Sequence, residues 1–186
     1  MDRILEKTAP ANVAVVMDGI RNGSWFAAVG DPLLEVEKND AGDYLTALDL
    51  AGLDIKPVAD WQSAAAITQN PNWEPAWWNI EEQEKARLSD LATRRIGDTA
   101  LMTTLSDVMR LSESLHGLAA VAAARGGTAD AGLIRAAAGA ASQAAHYAAL
   151  AHLAGEGCDH AFAAKFRLFV AGRWPLCTIG KEFYVF

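Results

Sequence analysis

The stretch AAAGAASQAAHYAALAHLAG, residues 136–155, contains no Asp, Glu, Lys or Arg, and alanine is its commonest residue. Because alanine is the strongest helix former, the stretch predicts a long buried helix over residues 129–154. Its length would also cross a bilayer, but Ser142, Gln143 and two histidines interrupt it, and alanine is only weakly apolar. We therefore expect a helix in the core of a soluble fold, with no membrane partner.

Helix signals on both sides of this stretch predict an antiparallel bundle. Pro75 suits a first helical turn, where its missing N–H costs nothing. Gly126-Gly127 is a short turn, so the helices that it joins must run antiparallel, and Asp159 is expected to cap the last helix. The four predicted helices cover residues 74–97, 98–125, 129–154 and 159–172.

Residues 1–72 are less regular and predict an N-terminal segment of shorter helices packed on the bundle. Short helices are expected over 43–51 and 58–68, whereas the Asn-Asp-Ala-Gly run at 39–42 favours a break. For residues 13–29 the sequence is compatible with either two short strands or helix. Good N-cap residues favour the helix.

The C-terminal residues predict a small β-hairpin. Thr178-Ile179 and residues 182–186 flank Gly180-Lys181, which places glycine at the first turn position. The apolar Phe186 indicates a docked C-terminus. The fold class is therefore mainly α, an antiparallel up-and-down bundle with a C-terminal hairpin over 73–186, and it forms one compact domain with the N-terminal segment.

Charge and cysteine content exclude several classes of protein. The chain carries 16 Lys+Arg and 23 Asp+Glu, a net charge of −7, which disfavours nucleic-acid binding because that needs a cationic surface. Cys158 and Cys177 form no Cys-x-x-Cys pair and cannot hold zinc alone. Charges also fall where a signal peptide needs its apolar core. We expect a cytoplasmic protein with reduced thiols.

The strongest candidate for chemistry is a Glu-x-x-His motif formed by Glu113 and His116. On one helix these side chains lie one turn apart and can reach the same metal ion. A helical wheel places His116 on the packing side and Glu113 at its border. Glu81 or Glu84 on the first bundle helix could supply a carboxylate, because both fall within its apolar stripe. His152 or His146 on the third helix could supply an imidazole. Glu84 and His152 are taken as the further predicted ligands.

This motif resembles half of the ligand set of the ferritin-like di-iron bundles, which use two such motifs and a carboxylate from each remaining helix. The resemblance covers one motif in one helix and implies a site for Fe, Mn or Zn. Glu156 and His160 are set apart by a Gly-rich break and supply no second motif. The alternative is that Glu113 and His116 only hydrogen-bond across the bundle interior.

Tryptophans cluster around the boundary near residue 72. Trp77 and Trp78 lie 100° apart on a helix, so both cannot centre on one core face. Exposed tryptophans beside proline are typical of binding hot spots, although the N-terminal segment is an alternative cover for Trp78. Trp73, Trp77, Trp78 and Phe186 are therefore the predicted interaction residues.

No phosphate-loop, dinucleotide or Gly-x-Ser-x-Gly pattern is present, so the sequence does not favour an enzyme. The leading hypothesis is a helical module that binds a protein partner or a second copy of itself. The alternatives are the carboxylate/histidine metal protein and a bundle that binds a small ligand in an aromatic pocket. In the last case the tryptophans and the stripe of Phe162, Phe166 and Phe169 would form the pocket.

Overall fold

The computed structural model describes residues 13–73 and 75–186 and is mainly helical, as the sequence predicts. Its elements in chain order are α1 (Ala14–Asn22), α2 (Glu35–Ala47), β1 (Asp54–Pro57), α3 (Trp61–Thr68), α4 (Pro75–Ile96), α5 (Asp98–Ser112), α6 (Leu115–Arg125), α7 (Ala131–Ala154), α8 (Ala161–Val170), β2 (Pro175–Ile179) and β3 (Glu182–Val185).

The alanine-rich stretch forms α7, which packs against α4, α5, α6 and α8. Asp130 caps its start by accepting hydrogen bonds from two backbone N–H groups, and Gly155 ends it with a φ of +92°, a conformation that glycine adopts without strain. Ala137, Ala141 and Ala148 have no exposed surface, so neighbouring helices approach α7 closely. Among the described residues, no helix has both the length and the apolarity that crossing a membrane requires.

The helix predicted over 98–125 is present as two helices, because α5 ends at Ser112 and α6 begins at Leu115. Glu113 and Ser114 between them keep right-handed helical dihedral angles. Serine hydroxyls at this interruption take backbone carbonyls as acceptors, and such bonds compete with the helical ladder. The buried positions nevertheless keep one helical period across it, from Leu105 and Val108 to Ser112, Leu115 and Ala119.

The N-terminal segment is more helical than expected. The break predicted at 39–42 is wrong, because this run lies inside α2, where Ala41, Tyr44 and Leu45 are buried on the side that packs against α8. Tertiary packing here outweighs weak local propensity. Within residues 13–29, α1 is a helix, and Gly19 lets it approach α8, because a Cβ there would lie 2.7 Å from the Phe166 ring.

The predicted hairpin of β2 and β3 is present, and Gly180 occupies its turn with a φ of +59°. A third strand joins it: β1 pairs parallel with β3, which gives the strand order β1-β3-β2. The sequence analysis missed β1. Phe186 is 1% exposed and exchanges backbone hydrogen bonds with Trp174, so the C-terminal residue is docked as expected.

Candidate functional site

A buried ion pair joins α4 to α8. The Lys165 ammonium donates to both carboxylate oxygens of Glu81, at 2.7 and 2.9 Å, and the two side chains are 4% and 1% exposed. Both residues lie on otherwise apolar helix faces, which turn them inward. A buried charge is tolerated only when it is paired and hydrogen-bonded, and this geometry meets both conditions.

Two aromatic residues complete the surroundings of the ion pair. The Tyr44 hydroxyl donates to Glu81 at 2.8 Å and accepts from the indole N–H of Trp77 at 2.5 Å. Burial, together with the Glu81 charge, raises the pKa of Tyr44 well above its usual value, so the residue remains a phenol that can donate. The Lys165 ammonium lies 4.8 Å from the centroid of the Trp77 ring, which adds a cation–π attraction.

A cavity of about 220 Å³ lies next to this network, and we call it the tryptophan cleft. Trp73, Trp77 and Trp78 line it on one side, and Lys165 and Gln143 contribute its polar groups. Trp73 and Trp78 are each 41% exposed, whereas Trp77 is 7% exposed. The cleft therefore has an accessible aromatic rim and a buried polar base.

Neighbouring contacts hold the lining of the cleft in place. The backbone of Trp73 forms a β-bridge with Ile179 at the end of β2. The Gln143 amide donates to the Tyr147 hydroxyl at 3.0 Å, and that hydroxyl donates to Glu82 at 2.6 Å. This bond, with a weaker contribution from a nearby lysine, lowers the pKa of Glu82. These hydrogen bonds fix the position of Gln143 in the lining of the cleft.

The predicted interaction residues are partly brought together. Trp73, Trp77 and Trp78 all line the cleft, and the described residues leave Trp78 well exposed. Phe186 lies elsewhere, with its ring 5.1 Å from that of Trp61, and it has almost no exposed surface. The structure therefore gives Phe186 a core position instead of a place on an accessible surface.

The four predicted metal ligands do not converge. Glu113 and His116 are both exposed, so the expected inward orientation of His116 is wrong. The buried face of α6 instead passes through Leu115, Ala119 and Ala122. His152 is buried in α7, where desolvation lowers its pKa, and Glu84 lies on α4.

Glu84 instead meets Glu156 and His160, and one ligand-type atom from each lies within 4.8 Å of the others. The sequence analysis had set Glu156 and His160 aside, since a Gly-rich break separates them. Arg87 occupies the same place: its guanidinium donates to Glu156 at 2.6 and 2.5 Å and also to Glu84. These bonds lower the pKa of both carboxyls.

The tautomer of His160 bears on whether a metal fits this group. His160, not the predicted Asp159, caps α8: its Nδ1 accepts the Phe162 N–H at 3.1 Å. A neutral ring then carries its proton on Nε2, which lies 3.0 Å from Glu84 Oε1. A metal ion at Nε2 would need the lone pair of that nitrogen, so the ring proton would have to move to Nδ1. Nδ1 could then no longer accept the Phe162 N–H, and α8 would lose its cap. We therefore describe Arg87, Glu84, Glu156 and His160 as an ion-pair latch between α4 and the turn before α8.

The cleft contains two residues of nucleophilic type, Lys165 and Cys177. The lysine is paired with Glu81, and burial raises the pKa of the Cys177 thiol to about 11. The Cys177 thiol is therefore protonated near neutral pH, which makes it a poor nucleophile. No known protein family, curated protein or solved structure matches the chain.

Proposed function

We propose that the protein is a non-catalytic binding protein that takes a small, neutral, single-ring ligand into the tryptophan cleft. One observation supports the proposal above all: Trp73, Trp77 and Trp78 converge on a cavity that Lys165 also lines. Apolar and aromatic walls with a few fixed polar groups are typical of small-molecule sites. The volume is below the roughly 300–1,000 Å³ of sites for drug-sized ligands, which favours a ligand of one ring.

The charge at the base of the cleft favours a neutral ligand. Lys165 and Glu81 cancel each other, so the cleft offers a hydrogen-bond donor without net charge. A carboxylate ligand would have to compete with Glu81 for the ammonium, and a cationic ligand would face that ammonium directly. A neutral ring with one polar group avoids both costs.

The test uses three probes that share a benzene ring and differ in charge: phenol, benzoate and benzylamine. The chain has six tryptophans, whose indole N–H resonances can be followed one by one in an ¹⁵N-labelled sample. We expect phenol to shift the resonances of Trp73, Trp77 and Trp78, and the charged probes to bind more weakly. The resonances of the remaining tryptophans should stay in place.

Variants assign the effect to the cleft. Trp78→Ala should weaken phenol binding roughly tenfold, equivalent to about 1.4 kcal/mol. Met102→Ala is the matched control, since Met102 is an exposed apolar residue (68%) that does not line the cleft. The proposal fails if millimolar phenol moves none of the three resonances, or if Trp78→Ala binds phenol as well as the unmodified chain.

A second candidate function is docking of a protein partner that inserts one aromatic side chain into the same cleft. The exposed rim favours it, because Trp73 and Trp78 present contact area to solvent and tryptophans dominate binding hot spots. A soluble peptide with a single phenylalanine distinguishes the two: tighter binding than phenol, at the same resonances, would favour the partner.

In this proposal α4, the α5–α6 pair, α7 and α8 form the antiparallel up-and-down scaffold of the cleft, and the protein acts in the cytoplasm with reduced thiols. Binding of Fe, Mn or Zn has less support, since the Arg87 guanidinium already pairs with both carboxylates of the one carboxylate–histidine group found among the described residues.

A further inference from the structure

The solvent side of α6 is unusually apolar for an exposed helix. Gly117, Leu118, Val121 and Ala124 are all exposed, and no charged residue lies between His116 and Arg125. Leu118 and Val121 keep 41% and 49% of their surface in water. A helix without a polar face is ordinarily covered, so α6 has the composition of a contact surface.

A groove extends this surface to the neighbouring helices. Ile20 and Arg21 of α1 and Leu111 of α5 line it together with Gly117 and Val121 of α6. Exposed apolar side chains grouped in this way on a folded protein mark sites of association.

We infer that this surface binds a second copy of the chain through an antiparallel, two-fold α6–α6 contact. The charges at the two ends of the surface favour this arrangement. Glu113 stands before α6 and Arg125 is its last residue, so an antiparallel pair brings the acidic end of each copy to the basic end of the other. A parallel pair would set like charges together, and a two-fold contact must be self-complementary.

The shape of the surface agrees with the same symmetry. A two-fold axis at Ala119 that pairs Glu113 with Arg125 also sets Val121 of one copy opposite Gly117 of the other. Gly117 is open on that side, because a Cβ built there meets no atom of its own chain within 4 Å. Each valine therefore has a shallow hole to fill, and the small side chain of Ala124 allows the helices to approach.

Sedimentation equilibrium of the full chain tests the inference. We expect a reversible dimer whose dissociation constant rises with salt, as exposed ion pairs are screened. Glu113→Arg and Arg125→Glu should each raise the dissociation constant at least tenfold at low salt, and the double variant should restore it. A chain that stays monomeric at millimolar concentration overturns the inference, as does a double variant no tighter than either single one.

A second pair of variants separates association from folding. Gly117→Leu adds a side chain that the single chain can accommodate, so it should fold normally by circular dichroism and yet abolish the dimer. Met102→Leu is its control, because Met102 is exposed on α5 outside the groove, and the dimer should persist. Folded Gly117→Leu that still dimerises would refute a contact through α6. None of these residues lines the tryptophan cleft, so phenol binding tests the proposed function separately.

Discussion

Replacing Lys165 by methionine isolates the energetic role of the buried ion pair. Methionine keeps most of the apolar stem and removes the ammonium, which leaves the 1%-exposed Glu81 carboxylate with Tyr44 as its remaining hydrogen-bond partner among the described residues. Two charge-assisted bonds, at 2.7 and 2.9 Å, are lost. Each contributes roughly 1.5–3 kcal/mol, and breaking a buried pair costs about 3–5 kcal/mol. We expect Lys165→Met to lower the free energy of unfolding by about 3–5 kcal/mol.

The double variant Glu81→Gln/Lys165→Met separates loss of the pair from loss of the side chains. It has no uncompensated charge, and the glutamine carbonyl still accepts from Tyr44, so most of the lost stability should return. Urea unfolding followed by circular dichroism measures the free energy of unfolding of both variants, which are compared when their m-values agree. Lys38→Met is the control, because its ion pair with Glu35 is exposed and contributes about 0–1 kcal/mol. A Lys165→Met deficit no larger than that of the control would refute the reasoning.

Two further predictions concern the thiols and the latch. Because burial raises the pKa of Cys177 to about 11, roughly one thiol in a thousand is ionised at pH 8. Iodoacetamide should therefore alkylate the exposed Cys158 of the folded protein and reach Cys177 only in urea, as mass spectrometry of the peptides will show. Arg87→Met should cost roughly 1 kcal/mol near neutral pH. Because Arg87 lowers the pKa of Glu156, the deficit should shrink as the pH falls below about 4.5, where the carboxyl becomes protonated in both the unmodified chain and the variant. An unchanged deficit at pH 3 would contradict the latch.

The parts of the fold that local sequence encodes were predictable. The long helix α7 follows from an uncharged, alanine-rich run, and the hairpin follows from glycine at its turn. The strand β1 was missed although Leu53, Asp54, Ile55 and Lys56 alternate between apolar and polar, as residues of a half-buried strand do. This alternation covers only four residues and ends at Pro57. Its parallel partner β3 lies far along the chain, so no neighbouring segment announces the pairing.

The inward orientation expected for His116 was wrong because helical periodicity left a choice of face. Apolar residues lie on more than one side of this segment, since Met102 and Met109 are 68% and 43% exposed. The buried face runs through Leu105 and Val108 and continues to Leu115. Only the packing of α5 and α6 against α7 decides which side is buried, and the local sequence does not encode that contact.

The sequence predicted the aromatic part of the cleft and missed its charged part. Tryptophans gathered near residue 72 indicated a binding site, and Trp73, Trp77 and Trp78 do converge. Lys165 was missed because a lysine on an apolar helix face ordinarily extends its ammonium to water. Its partner Glu81 lies 84 residues earlier in the chain. The available signal was that α4 carries acidic residues, and α8 a lysine, among largely apolar neighbours.

The position of the cleft follows from the distribution of side-chain volume around α7. Alanines along the packed faces of this helix draw its neighbours close and leave little space in the interior. Where Ala140 faces the bulky tryptophans, the short side chain leaves the room that becomes the cleft. Lys165 is tolerated beside this space only because Glu81 reaches it from α4. The Lys165–Glu81 contact, which makes the cleft polar, therefore also holds α4 to α8. A ligand that binds the cleft of the folded chain should stabilise that chain against unfolding.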